Sequence, residues 1–154
     1  MIREIFLFFV KLAGAFFAGA ALSVAFQIPR KYFVSAGITA AIGWAAYLIT
    51  TAMGWNMIWA NYTATLCISF TSQVLARKKR VPATMFLIPG IIPIVPGGGM
   101  YRIIWSMLYE TSREASIHFY ETLLMAGAIA LGIFTVDTFF RILQLGSGRK
   151  EHQA

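Results

Sequence analysis

Pro89-Gly90-Ile91-Ile92-Pro93-Ile94-Val95-Pro96-Gly97-Gly98-Gly99-Met100-Tyr101-Arg102 gathers the poorest helix formers into one run of a chain otherwise suited to a membrane. A proline inside a helix removes a backbone hydrogen bond and costs roughly 3 kcal/mol, and hydrocarbon supplies no water in exchange. Such backbone is tolerated at membrane depth only when protein or a wet cavity surrounds it, and in transporters broken helices of this kind hold substrate and ions. The run therefore predicts an unwound stretch over residues 89–99, facing a cavity, with a helix restarting near Met100.

The composition around it sets the class. The chain has 154 residues, of which 58% are hydrophobic, 15% aromatic and only 12% charged. Its mean hydropathy is +0.70. That balance lies far from a soluble domain and reads as an all-α integral membrane protein. One crossing takes about 20 apolar residues, so the chain holds about five crossings and no soluble catalytic domain beside them. We read residues 1–145 as a single transmembrane helical domain and 146–154 as a loose tail.

Apolar spans follow at residues 5–26, 33–53 and 57–75, with Trp55, Trp59 and Tyr62 placed like an interfacial belt. Pro29 with Arg30 and Lys31 stops the first span. Lys11 interrupts the apolar core that a cleaved signal peptide would need, so the first span is read as a retained helix. The broken fourth span begins at Pro82, a residue suited to a first helical position. Thr111-Ser112-Arg113-Glu114 matches a capping box and starts a last helix running to about residue 143.

The net charge of +7 comes from basic residues at the ends of apolar runs, which speaks for topology and against a nucleic-acid partner. Arg77-Lys78-Lys79-Arg80 and Arg30-Lys31 lie two crossings apart, so both belong on the cytoplasmic side and the N-terminus is expected in the periplasm. A full fourth crossing also brings Arg149 and Lys150 to the cytoplasm; a re-entrant loop would put them outside, against the rule.

Several residues carry possible chemistry. Gly97, Gly98 and Gly99 before a helix start can turn backbone amides toward one point, where the helix dipole adds positive charge. The planar fork of Arg102 suits a carboxylate, and together they form a substrate-binding cradle. The alternative is a tight turn with Arg102 reaching the interface. Asp137 in the last span could couple an ion, or simply pair with Arg141 four residues on. Lys11 reaches the interface or marks a site. Glu110, Glu114, His118 and Glu121 form either a relay or an ordinary polar helix start. Asn61, Gln73, Thr84 and Tyr101 can hydrogen-bond a ligand or a helix. Cys67 stands alone, so it packs and neither bridges nor builds a multi-cysteine metal site. Neither HExxH nor GxSxG is present, and no nucleotide-binding signature, so neither hydrolase chemistry nor a cofactor is expected. Small residues four apart, as in Gly14/Ala18, Ala15/Gly19 and Ala128/Gly132, permit close helix contact within the chain or between copies in a homo-oligomer.

The segment over residues 82–102, with its pattern PGxxPxVPGGGxYR, resembles the signature of the threonine/serine exporter family. In length, basic cluster and span layout the chain is similar to the small, YjjB-type subunit of its two-component members. Pro89, Gly90, Pro93, Pro96, Gly97, Tyr101 and Arg102 are the positions that carry the pattern. The resemblance implies export of small carboxylate-bearing metabolites, threonine and serine or a dicarboxylate such as succinate, across a bacterial inner membrane. It also implies a larger membrane subunit as partner. Ion or proton exchange is the expected driving force. A non-transporting scaffold and a passive oligomeric pore are the competing classes.

Overall fold

The computed structural model describes residues 2–109 and 111–151, and every regular element among them is helical. The helices are α1 (Ile2–Ala25), α2 (Phe33–Ala52), α3 (Met57–Lys79), α4 (Thr84–Ile91), α5 (Gly97–Tyr109) and α6 (Ser112–Glu151). Single turns of 3-10 helix precede α2 at Arg30–Tyr32 and extend α4 at Ile92–Ile94. Helix α6 continues through Gly146, where the sequence suggested a tail, and residues 152–154 lie outside the described part.

The starts and stops have local causes. Asn56 caps α3 by accepting from the Ile58 amide, and Arg80 closes that helix in the left-handed conformation at φ 53°. Helix α6 opens where the capping motif lies, with the Thr111 carbonyl accepting from the Glu114 and Ala115 amides.

By length and apolarity α1, α2 and α6 each suffice to cross a membrane, and α4 with α5 forms a further span bent by 44°. Helix α3 fails on composition, carrying Asn61, Thr65, Ser69, Ser72 and Gln73. It is nevertheless 23 residues long, about 34 Å at helical rise, enough for hydrocarbon about 30 Å thick. Asn61, Thr65, Ser69 and Ser72 are buried in a helix packed against α2, α4 and α6, and the partly buried Gln73 donates to Asp137 on α6. Thr65 bonds back to the Asn61 carbonyl at 2.8 Å, and Asn61 to that of Met57 at 2.8 Å, which meets their polar needs within the helix. Polarity that would disqualify a peripheral span is thus tolerated in the central one.

Close approaches explain the small residues. A Cβ on Gly19 would lie 2.6 Å from that of Ala40, and one on Gly37 would lie 2.8 Å from the Phe16 ring, so α1 and α2 touch nearly backbone to backbone. A Cβ on Gly43 would strike Ile68, and one on Gly132 would come 2.9 Å from Thr65, which seats α3 between α2 and α6. Gly14, by contrast, faces open space.

The relative directions settle how the broken span runs through the bundle. Tyr32 meets Phe86 edge to face at 5.8 Å, and Gly90 lies at Thr39 and Ile68, so α4 runs parallel to α2 and antiparallel to α3. Gly132 sits at Thr65, Asp137 at Gln73 and Phe140 at Arg77, so α6 runs parallel to α3. The bent α4–α5 pair must then carry the chain from the end of α3 back to the end where α3 begins. That is a full passage, and the chain threads the bundle five times.

Both basic clusters gather at one end. Lys79 donates to Ser35 Oγ at 2.7 Å, and Lys31 and Lys79 both lie over the Tyr32 ring, at 4.9 and 5.4 Å. Arg77 lies over the Phe140 ring at 4.3 Å.

Candidate functional site

The break is shorter than the sequence suggested. Pro89 lies inside α4, where a helix interior was thought to fail, and Gly97, Gly98 and Gly99 form the first turn of α5 instead of unwound backbone. Helix α5 restarts at Gly97, three residues before Met100. Only Val95 and Pro96 stand outside helix, Val95 being extended at φ −54°, ψ 133°. The 3-10 turn at Ile92–Ile94 absorbs Pro93 near its own start, where a missing N–H costs little. Proline thus concentrates the disruption into one bend.

Beside that bend lies a cavity of about 240 Å³, bounded by α2, α3, the α4–α5 junction and α6. It is smaller than a drug-sized pocket and suits a small metabolite. Pro93, Pro96, Gly97, Gly98, Gly99 and Arg102 line it from the broken helix. The structure therefore brings together three glycines and the arginine singled out in the sequence.

Their amides do not converge as a cradle of three. The Gly97 amide donates to the Val95 carbonyl at 2.7 Å, and those of Gly99 and Met100 to Pro96 at 3.0 and 3.2 Å. Among the described residues only the Gly98 amide in this turn has no backbone acceptor. A Cβ placed on Gly97 or Gly98 would meet nothing within 4 Å, so both border open space. A Cβ on Gly99 would strike the Thr122 hydroxyl, so Gly99 instead lets α5 close on α6. Arg102 is exposed to the cavity and has no carboxylate within 4.0 Å among the described residues.

The other expected residues lie elsewhere. Tyr101 turns outward, 63% exposed, with its ring 6.0 Å from that of Trp105. Pro89 and Gly90 are buried in the packing of α4. Asp137 lies far along α6 near the basic end, paired with Arg141 at 3.3 Å and accepting from Gln73 at 3.3 Å. Lys11 borders a second hollow with Gly14, Ala15, Ala18, Trp44 and Pro93. Glu110 and His152 lie outside the described residues.

The other walls hold Trp44 and Tyr47, which sequence reasoning passed over, His118 and Glu121, which it discounted, and Asn61, which it offered as a hydrogen-bonding group. Trp44 and Tyr47 project from α2, their rings 5.4 Å apart. The Trp44 indole nitrogen is buried without an acceptor among the described residues. Asn61 contributes from α3, and His118, Glu121, Thr122 and Met125 from α6. His118 Nδ1 lies 3.7 Å from Glu121 Oε2. The signal for this pair was its i,i+3 spacing at a helix start, which an ordinary solvated end also shows. For Trp44 and Tyr47 it was two large rings in a helix otherwise rich in Ala, Gly and Thr.

A family model described as "Threonine/Serine exporter, ThrE" matches residues 11–139. The chain belongs to the threonine/serine exporter family. It is 23% identical over 141 residues to a probable threonine/serine exporter of Mycobacterium tuberculosis, covering 91% of this chain and 27% of that protein. It is 27% identical over 137 residues to a threonine/serine exporter of Corynebacterium glutamicum, covering 88% of this chain and 28% of that one. The chain thus spans little more than a quarter of the length of these exporters. No solved structure matches it significantly.

Proposed function

We propose that this chain is the substrate-holding part of a bacterial inner-membrane exporter of threonine and serine, and that its site is the cavity at the α4–α5 bend. One observation carries the reading: a helix N-terminus whose Gly98 amide has no backbone acceptor, and Arg102 with no carboxylate within 4.0 Å, both among the described residues, line the same small cavity. That combination offers an α-carboxylate a hydrogen bond, a favourable dipole and a planar cation. Glu121 lines the same cavity from α6 and supplies the complementary anion for an ammonium group. One cation facing one acid suits a zwitterion, whereas a dicarboxylate would leave its second charge beside Glu121. The aromatic walls of Trp44 and Tyr47 fill the remainder.

The resemblance of the chain to the small subunit of two-component exporters supports a larger membrane chain as its partner. The basic clusters at one end of the bundle support a cytoplasmic location for that end and a periplasmic N-terminus.

The test is binding of radiolabelled threonine and succinate to the chain purified with its partner. Arg102→Gln should weaken threonine binding by about tenfold, a partly solvated charge-assisted pair being worth about 1–2 kcal/mol. Threonine should outcompete succinate. Unchanged threonine binding in an assembled Arg102→Gln protein removes the arginine from the site.

A further inference from the structure

We propose that His118 is the proton carrier of this exporter, and that it couples transport by competing with the substrate's ammonium group for the Glu121 carboxylate. The inference rests on the reading of the cavity as a zwitterion site and adds the exchange step to it. The groups are placed for it: His118 Nδ1 and Glu121 Oε2 lie 3.7 Å apart on adjoining turns of α6, and both line the cavity. The imidazole is a quarter exposed and the carboxylate over half, so both are reached by water and by a bound ligand.

The other charged and titratable groups at this cavity are Arg102 from α5 and Tyr47 from α2, and the polar ones are Asn61 from α3 and Thr122 from α6. Glu114, one turn before His118, is exposed and borders no part of the cavity. Glu121 is therefore the one carboxylate on these walls among the described residues. It can neutralise an imidazolium or an ammonium, and holding both would leave the cavity with a surplus positive charge beside Arg102.

Imidazole is the side chain that gains and loses charge between about pH 5 and 8 without special surroundings. With His118 neutral, Glu121 is free for the substrate's ammonium while Arg102 and the Gly98 amide take the carboxylate. When a proton from the more acidic side binds His118, the imidazolium takes Glu121 as its counter-ion and the zwitterion loses one of its two anchors. The substrate leaves to that side, and the proton leaves on return to the other. One proton moves inward for each neutral zwitterion moved outward, so the cycle carries one positive charge. Asp137, already engaged by Arg141 and Gln73 away from this cavity, takes no part.

The experiment measures threonine affinity between pH 8 and 5.5, and threonine accumulation driven by an imposed pH gradient in vesicles containing the chain and its partner. A competing proton weakens wild-type affinity by up to about tenfold per pH unit of acidification. His118→Gln and His118→Asn should both flatten that dependence and abolish gradient-driven accumulation while the complex still assembles. Arg102→Gln should lower affinity at every pH and keep the slope. An unaltered pH slope, or retained gradient-driven accumulation, in either assembled His118 variant overturns the coupling role. If Arg102→Gln leaves affinity unchanged while the His118 variants flatten the slope, the carboxylate anchor fails and the proton carrier stands.

Discussion

At the basic end of the bundle Ile28, Tyr32, Ala36, Ala76 and Phe86 close into a buried core, whereas at the other end α2, α3, α5 and α6 part around a cavity. Both ends use small residues, aromatics and a few charges. What differs is α4. Over its regular length it lies in the groove between α2 and α3, but past Ile94, level with Gly43, the chain leaves that groove at 44° and follows α6 instead. Among the described residues no helix continues along the vacated groove, and the cavity is the volume left behind. A cavity here is a consequence of where a helix stops. The charges differ in the same sense: Arg77 and Lys79 are engaged by Phe140 and Ser35, while Arg102 faces open space.

The comparison breaks most severely at the seam between the halves, where Ile68 is fully buried against Gly43, Gly90 and Ile94. Gly43→Val forces side chain into occupied space and should cost about 1–3 kcal/mol. Thermal unfolding in detergent should shift down by several degrees; an unshifted midpoint means that α2 and α3 are not in contact as described.

Adjacent glycines at the bend sharpen it further. Gly99→Ala must displace Thr122, and a loss of about 1 kcal/mol with weaker threonine binding is expected. Gly98→Ala adds a methyl group to open space in a helix and should be neutral or stabilise by about 0.5 kcal/mol. Equal melting temperatures for the two variants would contradict the close packing of α5 on α6.

The smallest effect belongs to the pair at the basic end. Asp137 is half exposed and its partner Arg141 more so, and such pairs contribute well under 1 kcal/mol. Asp137→Asn should leave melting and gradient-driven export close to wild type. Loss of gradient-driven export in that variant would move the ion-coupling role to Asp137.

The membrane class, most helix starts and the position of the broken span were legible in the chain, whereas the end of α6, which runs on to Glu151, was not. Each follows from local chemistry: runs of apolar side chains need hydrocarbon, proline cannot donate, and a cap residue satisfies nearby amides. Gly97, Gly98 and Arg102 were legible as cavity residues for the same reason, being neighbours in sequence at a helix start. Tyr101 could not be excluded that way, since one position along a helix turns a side chain by about 100°.

Packing decided the rest. Whether Gly97–Gly99 would be unwound or helical depended on how the neighbouring helices accommodate the bend, and proline near the start of a 3-10 turn removed the need for a long irregular stretch. The polar face of α3 became acceptable only because three other helices cover it. His118 and Glu121 came to line one cavity with Arg102 because α5 folds back on α6 and α6 runs alongside α3. Separations of sixteen or more residues along the chain were closed by side-chain burial, and periodicity within a single helix carries no record of which faces another helix will choose.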